Sequence, residues 1–155
     1  MADPVTVQLE GFKEMAERLK QLGPKVARNT LRRAVSAAAA QVRNQARENA
    51  PVDSGTLKRA IAIKREKDKQ GGPFAATYSV FVRQAKNGSA GQKNVTAYGK
   101  FDAYYARWIE FGTSKMPAQP FLAPAFDSVK EEALKTIGEK IDEGIQKAAA
   151  ELAGQ

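Results

Sequence analysis

The sequence predicts an α+β domain: long helices packed on a mainly antiparallel sheet of about four strands, with a C-terminal amphipathic helix. Three observations lead there. Residues Lys25 to Asn49 run without glycine or proline and carry an apolar seam; residues 57–64, 74–82 and 104–111 alternate at period two; and everything after Pro124 keeps a helical apolar face.

Taken in order, Val5, Val7 and Leu9 alternate with Thr6, Gln8 and Glu10, which reads as a short half-buried strand ending at Gly11. Phe12, Met15, Leu19 and Leu22 then follow helical spacing up to Gly23-Pro24, a break that also lets Pro24 open the next helix. In that helix Leu31, Val35, Ala38, Val42 and Gln45 form the expected seam. Arg28, Arg32, Arg33, Arg43 and Arg47 lie on an arc beside it, which is ordinarily a solvated flank. The small side chains at Ala37–Ala40 would let a helix or sheet approach closely.

Ala50-Pro51 ends the helix, and Asp53, Ser54 and Gly55 supply turn chemistry. A strand is expected from Leu57 to Lys64 and a second from Phe74 to Val82, paired as a hairpin around the charged loop 65–73. Residues 84–103 have no sustained period and, at about 20 residues, exceed the usual connection, as a mobile or partner-binding loop would. The final helix should bury Phe126, Val129, Ala133, Ile137, Ile141, Ile145, Ala148 and Leu152. On its outer side, pairs such as Glu131 with Lys135 and Glu143 with Lys147 would support it.

Residues 104–126, YYARWIEFGTSKMPAQPFLAPAF, hold the only tryptophan and read as a strand to Phe111, a stop at Gly112, a connector stiffened by Pro117 and Pro120, and a helix start near Pro124.

At 155 residues the chain suits one domain spanning 1–155, burying about two thirds of its unfolded surface. The charge of +8 is uneven. Nine cations face five carboxylates in residues 1–50, ten face three in 51–100, and six face nine in 101–155. The basic middle would suit nucleic acid or an acidic neighbour. Lys64, Arg65, Lys67, Lys69, Lys86, Lys93 and Lys100 are the residues expected to face it. No apolar run resembles a signal peptide or a membrane span, so the chain is expected to be soluble where it is made, with no membrane partner.

Without cysteine the chain has no disulfide and no thiol nucleophile; without histidine it lacks the usual zinc ligand and near-neutral base. Ser54, Thr56, Thr113 and Ser114 sit near turns but no Ser-His-Asp arrangement is possible, and GTSK at 112–115 lacks the nucleophile-elbow pattern. Asp53, Asp102 and Glu110 show no acid-base spacing, and no metal or phosphate loop occurs. The chain therefore reads as a non-enzyme without cofactors. A sequence-blind DNA-binding protein is the alternative that its charge supports.

EFGTSKMPAQPFLAPAF at 110–126, with APVDSGTLKRAI at 50–61, resembles the gene-product-ten-like tail-component family of long-tailed double-stranded DNA bacteriophages. Its members are described as tail-completion or head-to-tail joining proteins. The resemblance runs over residues 5–150 and is weakest at 84–103. It implies a structural virion protein of the phage neck or upper tail, made and assembled in the bacterial cytoplasm. Copies of itself would form a ring, six being the natural number, around the channel for the exiting double-stranded DNA. Other neck and tail proteins would be its partners, and a tail terminator capping the tube is the close alternative. On that reading Phe111, Gly112, Lys115, Met116, Pro117, Pro120, Phe121 and Leu122 form the partner-docking segment, because a rigid connector loses little entropy on binding.

Overall fold

The computed structural model describes residues 12–52, 55–67, 74–83 and 103–154. Its elements in chain order are α1 (Phe12–Gln21), α2 (Pro24–Asn49), α3 (Thr56–Ala60), β1 (Ile61–Arg65), β2 (Tyr78–Val82), α4 (Ala106–Phe111) and α5 (Leu122–Ala153). The expected strand at residues 5–9, the turn residues Asp53 and Ser54, and the loop 84–103 apart from Ala103 lie outside the described residues.

The frame is an antiparallel pair of long helices, α2 and α5. Small residues let them meet. Ala27, Thr30, Ala34, Ala38, Val42 and Ala46 are the buried positions of α2, and Ala125, Ala133, Gly138, Ile141 and Ala148 those of α5. Thr30 lies so close to Gly144 that a Cβ there would clash with both Thr30 Cγ2 and its Oγ1, the latter at 2.8 Å. Gln41 Nε2 donates to Thr136 Oγ1 across the pair at 2.9 Å. The buried seam of α2 is therefore shifted from the expected one. Leu31 and Val35 are only half-buried, because close packing selects the alanine face and leaves the bulkier residues as its flank. On α5, Phe126 and Leu152 are exposed: Ala125 takes the buried position beside Phe126, which opens on a groove with Val42, and Leu152 lies in the last turn of the helix. Its ion pairs are Lys130–Asp127, Lys135–Glu139 and Lys140–Glu143, so Lys135 pairs with Glu139 rather than the expected Glu131, and Glu143 with Lys140 rather than Lys147.

The sheet has two strands among the described residues, not about four. β1 and β2 pair antiparallel as expected, with Ile63 opposite Val80. The strand expected from Leu57 begins only at Ile61, because Thr56–Ala60 forms a helical turn after Gly55 in the left-handed region. Period two would have placed Arg59 beside Ile61 on the apolar face; the turn instead buries Leu57 and Ala60 and leaves Arg59 exposed. β2 likewise starts at Tyr78 rather than Phe74.

Residues 106–111 form a helix, not a strand. A six-residue stretch with four apolar side chains fits either period, and packing decides between them. As a helix it buries Ala106 and half-buries Tyr105 and Ile109 against the core, while Tyr104 and Trp108, one turn apart, meet edge to face outside at 5.7 Å. That core is built from Ala46, Ala50, Leu57, Ala60, Ile61, Ala103, Ala106, Phe121 and Ala125, where the hairpin, α4 and the start of α5 meet the end of α2.

Candidate assembly surface

The segment joining α4 to α5 is fixed by backbone bonds and one carboxylate. Gly112 stops α4 at φ 72°, and a Cβ there would stand 2.8 Å from the Ala118 nitrogen and 3.0 Å from the Met116 oxygen. Only glycine fits both the torsion and the space. Beyond it, Thr113 N–H donates to Met116 O at 2.8 Å and Met116 N–H to Thr113 O at 3.3 Å, closing a tight turn through Ser114 and Lys115. Gln119 N–H returns to Ile109 O at 2.7 Å.

Glu110 completes the joint. Its Oε2 accepts from the amides of Phe121 (2.8 Å) and Leu122 (3.0 Å), and its Oε1 from Ala123 (3.1 Å). The first turn of α5 has no cap from its own N-cap residue, Phe121. A carboxylate from α4 thus satisfies three otherwise orphaned donors at the positive end of a long helix. Sequence reasoning placed Glu110 within a strand and missed this role; the signal was an acidic residue in the element before a helix start with no Ser, Thr, Asp or Asn to cap it.

This rigid joint holds large apolar groups in solvent. Phe111 is 79% exposed, Trp108 46% and Phe126 53%, with Tyr104 and Met116 exposed beside them. Pro51, Val52, Gly55 and Leu57 come up against Tyr105, Trp108, Ile109 and Met116 around a hollow of about 350 Å³. The two sequence blocks that carry the family resemblance, distant along the chain, therefore meet at one surface. Of the docking residues named from sequence, Phe111, Lys115, Met116, Pro117 and Pro120 are exposed, Gly112 and Leu122 are half-buried, and Phe121 is enclosed in the chain's own core.

The basic residues divide. Lys64, Arg65 and Lys67 are exposed at the far end of the hairpin, with Lys64 paired to Glu66 at 3.5 Å. Lys69, Lys86, Lys93 and Lys100 lie outside the described residues. A second cationic group lies at the end of α2. Arg47 donates through Nε and a terminal nitrogen to Ile61 O, at 3.2 and 2.7 Å, tying α2 to β1. Burial, followed by the nearby charges of Arg43 and Arg83, pulls its guanidinium below the ordinary value. The arc of arginines read as a solvated flank thus includes one that braces the sheet.

Among the described residues no cluster of acidic side chains could hold a metal ion, and no helix is long and apolar enough to cross a membrane. No curated protein and no solved structure matches the chain. Residues 13–112 match the family model described as "Bacteriophage HK97-gp10, putative tail-component". That match takes in the whole of the 50–61 block and reaches the glycine that ends α4, where the joint begins. With more than half of its length covered, the chain belongs to this family of bacteriophage tail components, so its role is structural and its place is the virion.

Proposed function

We propose that this tail component acts at the head-proximal end of the tail, completing it or joining it to the head as a ring of copies, six in number, around the DNA channel. The observation that carries the reading is the aromatic surface of Trp108, Phe111 and Met116, held in solvent by Glu110 and Gly112. Exposed apolar groups on a pre-formed support suit an interface that closes without ordering cost. Phe111, Lys115, Met116, Pro117 and Pro120 form the contact, with Gly112 and Leu122 setting its shape and Phe121 anchoring it from inside. Head-to-tail contacts of this kind close into a ring when their rotation allows.

Lys64, Arg65 and Lys67, at the opposite end of the β-hairpin from the core, would face the DNA channel or an acidic partner ring, with Lys69, Lys86, Lys93 and Lys100 extending the same basic segment. Contact with DNA there would track phosphate charge, not sequence.

Complementation tests the reading. A phage lacking this gene is supplied with the wild-type chain or with a Trp108→Ser, Phe111→Ser variant. The wild type should restore joined particles, while the variant should fold and leave unjoined heads and tails in electron micrographs. Normal particle yield with the folded variant would refute the proposal; tails of uncontrolled length would reassign the chain to capping the tube.

A further inference from the structure

Cations gather where the end of α2 meets the start of the hairpin. Arg47 donates through Nε and one terminal nitrogen to Ile61 O, which fixes the guanidinium plane and leaves its remaining N–H groups for another acceptor. Arg43 stands one helical turn before it on the same face of α2, bonded to the side-chain oxygen of Asn44 at 2.8 and 3.1 Å. Arg83 follows the last residue of β2, and its N–H donates to Ala60 O at 2.9 Å, one residue from the carbonyl that holds Arg47. Lys58 and Arg59, from α3, line a hollow of about 470 Å³ with Arg47 and Glu48. Burial first, and then the charges of Arg43 and Arg83, hold the Arg47 guanidinium below its ordinary value, so these cations stand close enough to repel.

We infer that Arg43, Arg47, Lys58 and Arg83 form a seat for the phosphates of double-stranded DNA. Charge balance is the first reason. Among the described residues none of the four has a carboxylate partner, and Glu48, the acid that lines the hollow, forms no ion pair. Like charges one helical turn apart destabilise the free chain, and a polyanion seated on them removes that cost. Arginine suits phosphate because its planar fork presents paired donors, and one already pinned by the backbone loses little freedom on binding.

The surroundings favour DNA over an acidic protein. Protein interfaces carry an apolar core, as the surface around Trp108 and Phe111 does. Neither α2 from Arg43 onward nor the stretch from Thr56 to Lys67 exposes a large apolar side chain, and every exposed residue in them is polar or charged. Duplex DNA meets such a face through its phosphates and needs no apolar contact. β1 then links the seat to the hairpin cations. From Ile61, bonded to Arg47, to Arg65 it extends about 13 Å, the axial rise of roughly four phosphates on one strand. The seat names DNA where Lys64, Arg65 and Lys67 alone suit either DNA or an acidic ring, and it holds whether or not the chain joins heads to tails.

Fluorescence anisotropy with a short labelled duplex of random sequence tests this on the full-length chain. The wild type should bind with an affinity that falls steeply as salt rises. An Arg43→Gln, Lys58→Gln, Arg83→Gln variant keeps the Arg47 bonds to Ile61. It should bind about tenfold more weakly or worse at low salt, with a salt slope smaller by about three, and melt no lower than the wild type. Phenylglyoxal modification reads the same site on the unaltered chain and decides the matter if that variant folds poorly. Arg43 and Arg83 should react in the free protein and be shielded by saturating duplex. Unchanged affinity in the folded variant, unshielded Arg43 and Arg83, or polyglutamate bound more tightly than the duplex overturns the inference, the last by assigning the seat to an acidic protein. Each of these results is independent of whether Trp108 and Phe111 are needed for joined particles, so the two proposals fail separately.

Discussion

The α2–α5 pair and the α4–α5 joint use side chains in opposite ways. Inside the helix pair the buried groups are mostly alanine, with Thr30 set against Gly144, and only Phe121 and Ile61 are large side chains fully enclosed anywhere among the described residues. At the joint, tryptophan, phenylalanine, tyrosine and methionine stand in solvent. A chain that needed only to fold would place its bulk the other way round, because burying an aromatic ring stabilises far more than burying a methyl group. On the proposed reading the helix pair is a thin, rigid support, and the apolar area that could have enlarged the core is held for another surface.

If the helix pair depends on close approach, widening it should have the largest effect. Gly144→Val would drive a branched side chain into Thr30 and is expected to cost about 3 kcal/mol by thermal or denaturant unfolding. Gly112→Val should come next, at about 2–3 kcal/mol, from a strained positive φ and the clash with Ala118 and Met116. Glu110→Ala should cost about 2 kcal/mol, since three amides at the start of α5 lose their acceptor together. Exchange at Phe121, Leu122 and Ala123 should rise in that variant while the centre of α5 stays protected. Arg47→Ala should cost about 1–2 kcal/mol through the lost pair of bonds to Ile61 O. Trp108→Ser and Phe111→Ser should change stability least, because Phe111 is largely in solvent and Trp108 nearly half so.

The elements legible in the sequence were those whose pattern persists: α1, α2, α5 and the β1–β2 pairing. What escaped was set by contacts between distant residues. Ala106–Phe111 alternates convincingly as a strand, and only the cavity for Tyr105 and Ile109 and the amides awaiting Glu110 select a helix. Leu57 at the head of an apolar run looked like the start of a strand until Arg59 had to find solvent. The α2 seam was drawn through Leu31 and Val35 because they are the larger residues, whereas the neighbouring helix selects the smaller ones. At the site, the exposed Phe111 and Met116 and the need for Gly112 were visible from the prolines and glycine around them. The Glu110 cap was not, and neither was the meeting of Val52 with Trp108, since neither leaves a local pattern. Phe121 resembled its exposed neighbours in sequence, but its side chain points inward.

The central claim is that the aromatic surface is covered when the chain is in place. Oxidative footprinting of Trp108 and Met116 measures this directly, comparing the purified chain with the same chain in intact virions. The account expects both residues to be labelled readily in the free protein and strongly protected in the particle. Equal labelling in the two states would contradict it.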